Sequence, residues 1–489
     1  MLNDVPLFGK NIYFFISEQL ISALSATATV AHSEKTLLKP AALAKQLFIK
    51  DCNSDSNMRF LVRTARTIRN HWKKSTFAAG LVVYGISSGK NYIDTQTLMR
   101  DYCQKAACYG NKTIPVHISP RSITIILNPN ANKRKSLDEF EKYCAPLLHL
   151  AGISVEIIKT ESEGHAKVLM ENVGGTDAIV VAGGDGTLSE VVTGLLRRTN
   201  ENTASLVPLG ILPLGRSNTV AKNLFPTEKK LNKVRFLADA TMAVIEEMTK
   251  PIDVMRIEVV DENVVRKPIY AVAGIKWGAY RDAEAKIDSY WYFGTLRKYA
   301  TYIFNGLKSS LSQNRQAVLN YSAPCEGCSN CKNRHVSDTK SGWFQRLIKE
   351  NRSQDKYFGV YNPECQITHE KNVSTIDLAL LTSNAIPSSF GMSKGIPKLE
   401  VRIGPEELSY IDFVKNGWMS EQGKSRDVKE VYEARTIEIK PEQKTQSWFS
   451  IDNEYYEAKP IKVTLLPEAV NMFCKKESRE PRYITLTYT

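Results

Sequence analysis

From Ser122 onward, short apolar runs alternate with stretches whose apolar residues recur at helical spacing. Ser122–Leu127 reads SITIIL, Val155–Ile158 reads VEII, Ala178–Ala182 reads AIVVA, and Leu209–Leu214 reads LGILPL. Runs this short and this rich in β-branched residues predict strands buried on both faces. Each is followed by a polar turn and then an amphipathic stretch. After Thr187, for example, apolar residues fall at Leu188, Val191, Val192, Leu195 and Leu196, which is one helical face. Four strand–turn–helix units in order predict a doubly wound, mostly parallel sheet over about 118–260, with its ligand site at the carboxyl ends of the strands. Beyond about 260 the pattern changes to strand candidates such as PIYAVAGIKWGAY, TIDLALLTS, TIEIKP, FSIDNE and IKVTLLP, the last of these, Ile461–Leu466, closing the domain. The expected architecture is therefore an N-terminal α/β nucleotide-binding domain followed by a β-sandwich-like domain over 261–475, with a cleft between them.

The turns carry the candidate chemistry. Gly183, Gly184, Asp185, Gly186 and Thr187 join the third strand to its helix. Glycines there allow positive φ and the close approach of a ligand, and the free amides of a helix start favour phosphate. Thr187 and Glu190 have the spacing of a capping box. Asp185 repels phosphate, so it either contacts magnesium or takes a proton from an attacking hydroxyl; a plain turn aspartate is the structural alternative. Asn128 and Pro129 end the first strand, with Asn130 and the bases Lys133, Arg134 and Lys135 following, as suits a second phosphate-facing turn. Thr160 opens the turn after the second strand, where His165 reads as a structural hydrogen-bond partner. Leu214, Gly215, Arg216 and Asn218 form the turn after the fourth.

Composition narrows the partners. The chain has 489 residues, room for two or three domains, and a formal net charge of +13. A basic chain suits an anionic surface or an acidic substrate. No Arg/Lys tract with interleaved aromatics appears, so nucleic acid is not an expected partner. No run of about eighteen apolar residues appears either, so no conventional spanning helix is expected. Residues 58–90 are rich in Arg and Lys and contain no acid, which is the composition of a mitochondrial targeting segment, and Phe77–Ile86 adds a short apolar anchor. Met58 is accordingly the expected working start, and residues 1–57 an upstream extension; a basic surface helix behind a genuine N-terminal arm is the alternative.

Nine cysteines in a chain of this length do not suggest a disulfide scaffold. Cys325, Cys328, Cys331 and His335 have the spacing C-x2-C-x2-C-x3-H, in a polar stretch expected to be a loop within an insertion at about 320–375. Structural zinc is one reading, with His335 or the distant Cys365 completing four ligands; free thiols or a redox pair is the other.

In order, the motifs are LNP, T-x4-HA, GGDGT-x2-E and PLG-x2-N, then WG-x2-RDA with G-x-L-R in Lys276–Tyr299, then DNE in Phe449–Pro467. This set resembles the diacylglycerol and sphingosine kinase superfamily, and within it the mitochondrial acylglycerol kinases, from Met58 onward except for 320–375. Nicotinamide-nucleotide kinases share GGDG but not the LNP turn or the later segments. The resemblance implies transfer of the ATP γ-phosphoryl group, with magnesium, to the hydroxyl of monoacylglycerol or diacylglycerol, giving lysophosphatidic and phosphatidic acid. By position it implies nucleotide contacts from Asn128, Pro129, Asn130, Thr160, Gly183, Gly184, Gly186, Thr187, Glu190, Leu214, Gly215, Arg216, Arg297 and Asp452. It implies a general base at Asp185, with Glu454 as the rival, and a lipid headgroup contact at Asp282 or Glu284. It also implies a mitochondrial inner membrane location facing the intermembrane space, a membrane-surface partner, and a second, non-enzymatic role as a subunit of the inner-membrane carrier translocase. Asn453 stands where the family has glycine, and Arg216 and Ser217 where it has small residues; Asn tolerates the left-handed region better than most. Trp291, Phe293, Leu296 and Phe304 are candidates for an acyl channel, although ordinary core packing is the expectation for most of them.

Overall fold

In the computed structural model, residues 70–113, 115, 117, 119–198, 207–225, 233–260, 266–307, 315–325, 328, 361–385, 396–424, 426–442 and 447–475 are described. Residues 58–69, Cys331 and His335 lie outside this set, so the first half of the basic segment and two members of the cysteine run do too. The chain divides into a unit ending at Leu98 and a unit from Met99 onward. The helix Trp72–Gly110 begins in the first. Its Phe77, Val82, Val83 and Ile86 are exposed, and no described helix is long and apolar enough to cross a membrane.

The second unit opens with four strands, β1 (Ser122–Leu127), β2 (Ser154–Lys159), β3 (Ala178–Gly183) and β4 (Leu209–Pro213). They are parallel, in the order β2-β1-β3-β4. Every residue of β3 and β4 is buried, as their unbroken apolar sequence requires. β2 lies at the sheet edge and is mostly exposed, although it reads as apolar as the others.

Beyond β4 the same sheet continues into antiparallel strands. Its order runs on through β16 (Ile461–Phe473), β13 (Thr436–Pro441), β8 (Arg315–Ser322) and β9 (Thr368–Thr375), and β5 (Thr249–Val259) also pairs with β16. A second antiparallel sheet has the order β12 (Glu430–Ala434), β11 (Leu399–Ile403), β10, β7, β14 and β15 (Glu454–Glu457). Its central members are β7 (Gly274–Gly278), β10 (Asp377–Leu381) and β14 (Trp448–Ile451). Trp277, Leu380, Phe449, Ile437 and Val463 form the apolar layer between the sheets. The strand expected to close the β-rich domain at Leu466 is longer than its sequence pattern indicated. It runs on to Phe473, and Val470, Met472 and Phe473 pack into the α/β core. The Pro467-Glu468 step hides the continuation, because the register shifts there between Leu466 and Val470.

The insertion is also narrower than 320–375. β8 ends at Ser322 and β9 starts at Thr368, paired with it. β9 reads THEKNVST and has none of the apolar run that marks the other strands.

Candidate functional site

The first three turns at the carboxyl ends of β1–β4 converge with the fourth on a cleft of about 600 Å³, closed on its far side by residues of the β-rich domain. The wall contains Asn128, Asn130, Thr160, Gly184, Gly186, Thr187, Glu190, Gly215, Arg216, Arg297 and Glu454 from the expected set. It also contains Asn132, Lys133, Ser162, Glu163, Ser217, Asp288 and Asn453. Of these, Lys133 carried a sequence signal as part of a basic turn, and Ser217 and Asn453 stood out as departures from the family pattern. Pro129, Gly183, Leu214, Asp452 and Asp185 do not line it.

Glycine is needed in these turns for close packing of backbone on backbone, not for positive φ. Gly183, Gly184, Gly186 and Gly215 are absent from the positive-φ residues. A Cβ on Gly215 would lie 2.3 Å from the Gly184 Cα and 2.6 Å from its nitrogen. The Gly183–Gly184 turn and the Gly215 turn are thus pressed face to face, and the Gly215 amide donates to the Gly183 carbonyl.

The expected capping box does not form. Glu190 instead accepts from the amides of Gly164 and Ala166, at 2.9 and 3.1 Å, and so caps the neighbouring helix His165–Asn172. Thr187 Oγ1 accepts from Asn128 Nδ2 at 3.2 Å, tying the first turn to the third. His165 Nδ1 accepts from the Glu161 amide at 3.0 Å, the structural role expected of it.

The carboxylates divide by exposure. Asp185 is 1% exposed, and its oxygens accept from the amides of Thr219 and Val220 at 2.9 and 3.3 Å. It therefore caps the helix Thr219–Leu224. Burial pushes its carboxyl up against the pull of those amides. Asp452 is buried as well and accepts from Val272, Ala273 and Gly274, at 2.7, 2.9 and 2.8 Å. Burial raises it to about 7, with nearby Asp185 contributing, although three amides oppose the rise. Both aspartates act as backbone clamps in this structure. Glu454, in contrast, is half-buried and lines the cleft. Its Oε2 accepts from the Tyr456 hydroxyl at 2.8 Å. Burial lifts it to about 8, and Glu190 and Glu163 add to the rise.

Asp452 and Asn453 form the two-residue turn between β14 and β15 (Glu454–Glu457), with φ of 46° and 71°. Positive φ at both central positions is the geometry of a type I′ hairpin, which Asn and Asp accept more readily than other side chains. The glycine replacement at Asn453 therefore keeps the turn, and Asn453 Nδ2 donates to Ser217 Oγ at 3.0 Å across the cleft. The two departures from the family pattern are thus in contact.

Cations line the cleft as well. Arg216 pairs with Asp288 at 2.5 Å and Arg297 pairs with the same carboxylate at 3.0 Å. Asn132, Lys133 and Arg134 all have left-handed backbone, φ 49°, 58° and 65°, which for non-glycine residues costs about 1–2 kcal/mol each. That strain sits where Lys133 faces the cleft.

The two headgroup candidates are held in ion pairs. Asp282 pairs with Arg281 at 2.9 Å and also with Arg315. Glu284 pairs with Lys276 at 2.9 Å and with Arg426. Burial alone would raise the Glu284 carboxyl, but Lys276 and Arg426 outweigh it and hold it near 2. The aromatic segment departs from the expected core packing. Trp291 is 73% exposed, and Tyr292, Phe293, Leu296, Phe304 and Leu307 are exposed with it. Tyr280, Tyr302 and Phe413 form the small core beneath.

Cys325 and Cys328 lie just after β8, and the thiol that joins them among the described residues is Cys365, from the turn before β9.

Comparison with known proteins fits this geometry. The sequence profile of the diacylglycerol kinase catalytic domain matches residues 122–257, and that of the acylglycerol kinase C-terminal region matches 272–485. The chain is 36% identical over 422 residues to the human protein named mitochondrial acylglycerol kinase, covering 85% of this chain and 97% of that one. It is 30% identical over 182 residues to human sphingosine kinase 1, covering 36% of this chain and 46% of that one. A solved putative diacylglycerol kinase from Bacillus anthracis aligns with a TM-score of 0.44 at 15% identity, over 73% of this chain and 98% of that one.

Proposed function

The chain belongs to the acylglycerol kinase family and is a lipid kinase, and from that premise we propose that it transfers the γ-phosphoryl group of ATP to the hydroxyl of monoacylglycerol and diacylglycerol, with Glu454 receiving the hydroxyl proton. A bond forms between the lipid oxygen and the γ-phosphorus, the bond from that phosphorus to the β-phosphate bridge breaks, and ADP leaves. The products are lysophosphatidic and phosphatidic acid.

The observation that carries this reading is the placement of Glu454 on the cleft wall with its carboxyl lifted to about 8, close to working pH. The family resemblance gave Asp185 as the base, with Glu454 as its rival. In the structure both oxygens of Asp185 accept backbone amides and the residue is 1% exposed, so the geometry supports a positioning role for it: it sets the Thr219–Leu224 helix behind the Gly215 turn. Lys133, Arg216 and Arg297 along the cleft would take the phosphate oxygens. Asp288 orients both arginines.

Magnesium fits the donor set. Glu163, Glu190 and Glu454 share one wall of a cleft that must accept a polyanion, and their mutual repulsion calls for a cation. Glu163 would hold it, and it would supply charge neutralisation there; Glu190, whose two oxygens both accept backbone amides, would set the charge of the surroundings.

The exposed aromatic segment from Trp291 to Leu307 supports delivery of the lipid from a membrane surface, since an interfacial site needs apolar side chains facing outward. A mitochondrial location, at the inner membrane facing the intermembrane space, follows from the family reading. So does the separate carrier-translocase role, which co-purification of translocase subunits with the full chain from mitochondria would test.

The enzymatic test is phosphorylation of monoacylglycerol and diacylglycerol by purified protein with magnesium and ATP. Glu454→Gln is expected to lower kcat by roughly 10²–10⁴-fold with little change in KM for ATP. Asp185→Asn is expected to weaken folding and ATP binding together. Full activity in Glu454→Gln would return the proton to Asp185 or to the phosphate itself.

A further inference from the structure

We propose that Cys325, Cys328 and Cys365 bind one structural zinc ion, which clamps the root of the long connection between β8 and β9. Their sulfur atoms all lie within 4.8 Å of one another. At a mononuclear tetrahedral zinc with Zn–S of about 2.3 Å, thiolate sulfurs are roughly 3.8 Å apart, so the cluster needs only a small contraction to close on an ion. An iron–sulfur cluster would place iron and sulfide between the cysteines and hold their sulfurs farther apart, which argues for the mononuclear ion.

The topology explains why these three meet. β8 and β9 pair antiparallel with Ser322 opposite Thr368, so the two ends of the intervening chain are adjacent. Cys325 and Cys328 leave β8 together, and Cys365 sits in the short turn Pro363–Gln366 that leads into β9. A C-x2-C pair from the outgoing chain and a single cysteine from the returning chain hold the connection closed at its base.

Two of the three sulfurs accept side-chain hydrogen bonds. Asn362 Nδ2 donates to Cys325 Sγ at 3.4 Å, and Arg435 Nη1 donates to Cys365 Sγ at 3.7 Å. Asn362 is itself fixed, because its side-chain oxygen accepts from the Glu364 amide at 3.0 Å. The Arg435 amide is anchored on the Ser322 carbonyl at the end of β8, at 2.9 Å. Donors to metal-bound sulfur and a nearby cation are the usual outer partners of a thiolate site. Cys328 is fully buried, so the ion would lie at the protein surface with one ligand anchored below it. The fourth tetrahedral position belongs to solvent or to a residue outside the described set.

The site is structural and not catalytic. β8 and β9 end the sheet on the side of β16 and β13 opposite to the nucleotide strands.

The test uses the full chain, purified without chelator and with any tag removed. Elemental analysis is expected to give about one zinc per chain, X-ray absorption to give a sulfur-rich shell, and Cys365→Ser to lose the ion while retaining kinase activity. Should that variant fail to fold, cobalt(II) exchanged into the wild-type protein keeps the idea testable, since a thiolate site gives sulfur-to-cobalt charge-transfer bands and tetrahedral ligand-field bands. Absence of both zinc and these bands would overturn the proposal. So would a disulfide mapped between any two of the three cysteines in protein purified under argon, or full zinc retention in a folded Cys365→Ser protein.

Discussion

Replacing Glu454 by Gln should stabilise the nucleotide-free protein at high pH while removing its activity. In the unfolded chain this carboxyl titrates near its usual 4.5, but in the folded cleft burial and the neighbouring Glu190 and Glu163 lift it to about 8. Between those values the folded chain holds a proton that the unfolded chain releases, so folding binds protons and stability falls as pH rises. Below the window the carboxyl is protonated in both states and imposes no cost; above it the folded state carries the full cost of a half-buried anion beside two others. Undiluted, a rise of this size is worth roughly 4–5 kcal/mol. Partial solvent access leaves about 2 kcal/mol as the working magnitude. Gln keeps the shape and can still accept from the Tyr456 hydroxyl, but has no charge. Asp452 and Asp185 titrate too, yet they are present in both proteins and cancel. Thermal melts of wild type and Glu454→Gln in steps from about pH 5 to about pH 9, without nucleotide or magnesium, should therefore diverge, with the variant gaining at the alkaline end. Magnesium with ATP should narrow the gap by raising the wild-type melt. A difference in melting temperature that stays flat with pH would refute the argument that this carboxyl is held against its charge by the cleft.

Other outcomes follow from the same geometry. Gly215→Ala puts a methyl group 2.3 Å from the Gly184 Cα, so it should separate the two turns and cost about 1–3 kcal/mol along with most of the ATP affinity; urea melts and nucleotide titration measure both, and a wild-type result would mean that the turns are not in contact. Asp452→Asn leaves one acceptor for three buried amides and should cost about 2–4 kcal/mol in a urea melt, whereas a loss confined to activity would make Asp452 a ligand and not a clamp. Trp291→Ser should weaken sedimentation with lipid vesicles and raise the apparent KM for vesicle-borne diacylglycerol, with kcat on detergent-dispersed substrate unchanged; equal vesicle binding would remove this face from the membrane.

The parallel half of the fold was readable because β1, β3 and β4 are buried on both faces and must therefore be apolar throughout. β9 was not, since an edge strand whose residues alternate between the sandwich interior and solvent needs few apolar positions, and Val373 is the buried hydrophobe it supplies. The turns could be placed by motif, but what each residue does in them could not. Glu190 caps the helix beside its own because Gly164 and Ala166 lie close in space while standing 26 and 24 residues away in sequence. An aspartate in a glycine-rich turn is chemically odd, which left magnesium contact, proton transfer and plain turn chemistry open for Asp185; that it caps the helix from Thr219 was visible only once β3 and β4 were side by side. The aromatic run from Tyr290 to Phe304 has the composition of a core, and only the fold reveals that Trp291 and Leu296 are exposed.

The cleft residues come from both parts of the chain, with Asp288, Arg297 and Glu454 from the β-rich part, so their spacing depends on what joins the two parts. β16 does this directly: its first half pairs with β13 inside the sandwich, and its last residues pair with β4 and fill the α/β core. β5 runs alongside it through the same span. Two through-going strands with a shared ladder leave little freedom for the domains to swing as rigid bodies. The break in the ladder lies between Leu466 and Val470, where Glu468 has φ 52° and its amide is held by Asp253 at 3.0 Å. A change in cleft width must therefore be absorbed at this bulge or within the turns themselves. The contact of Asn453 with Ser217 joins one of those turns to the Glu454 hairpin through side chains. Asp452 fixes the base of the hairpin on Val272, Ala273 and Gly274. Glu454 thus stands two residues beyond a buried anchor and next to the residue that reaches Ser217, so its position is set from both sides of the cleft.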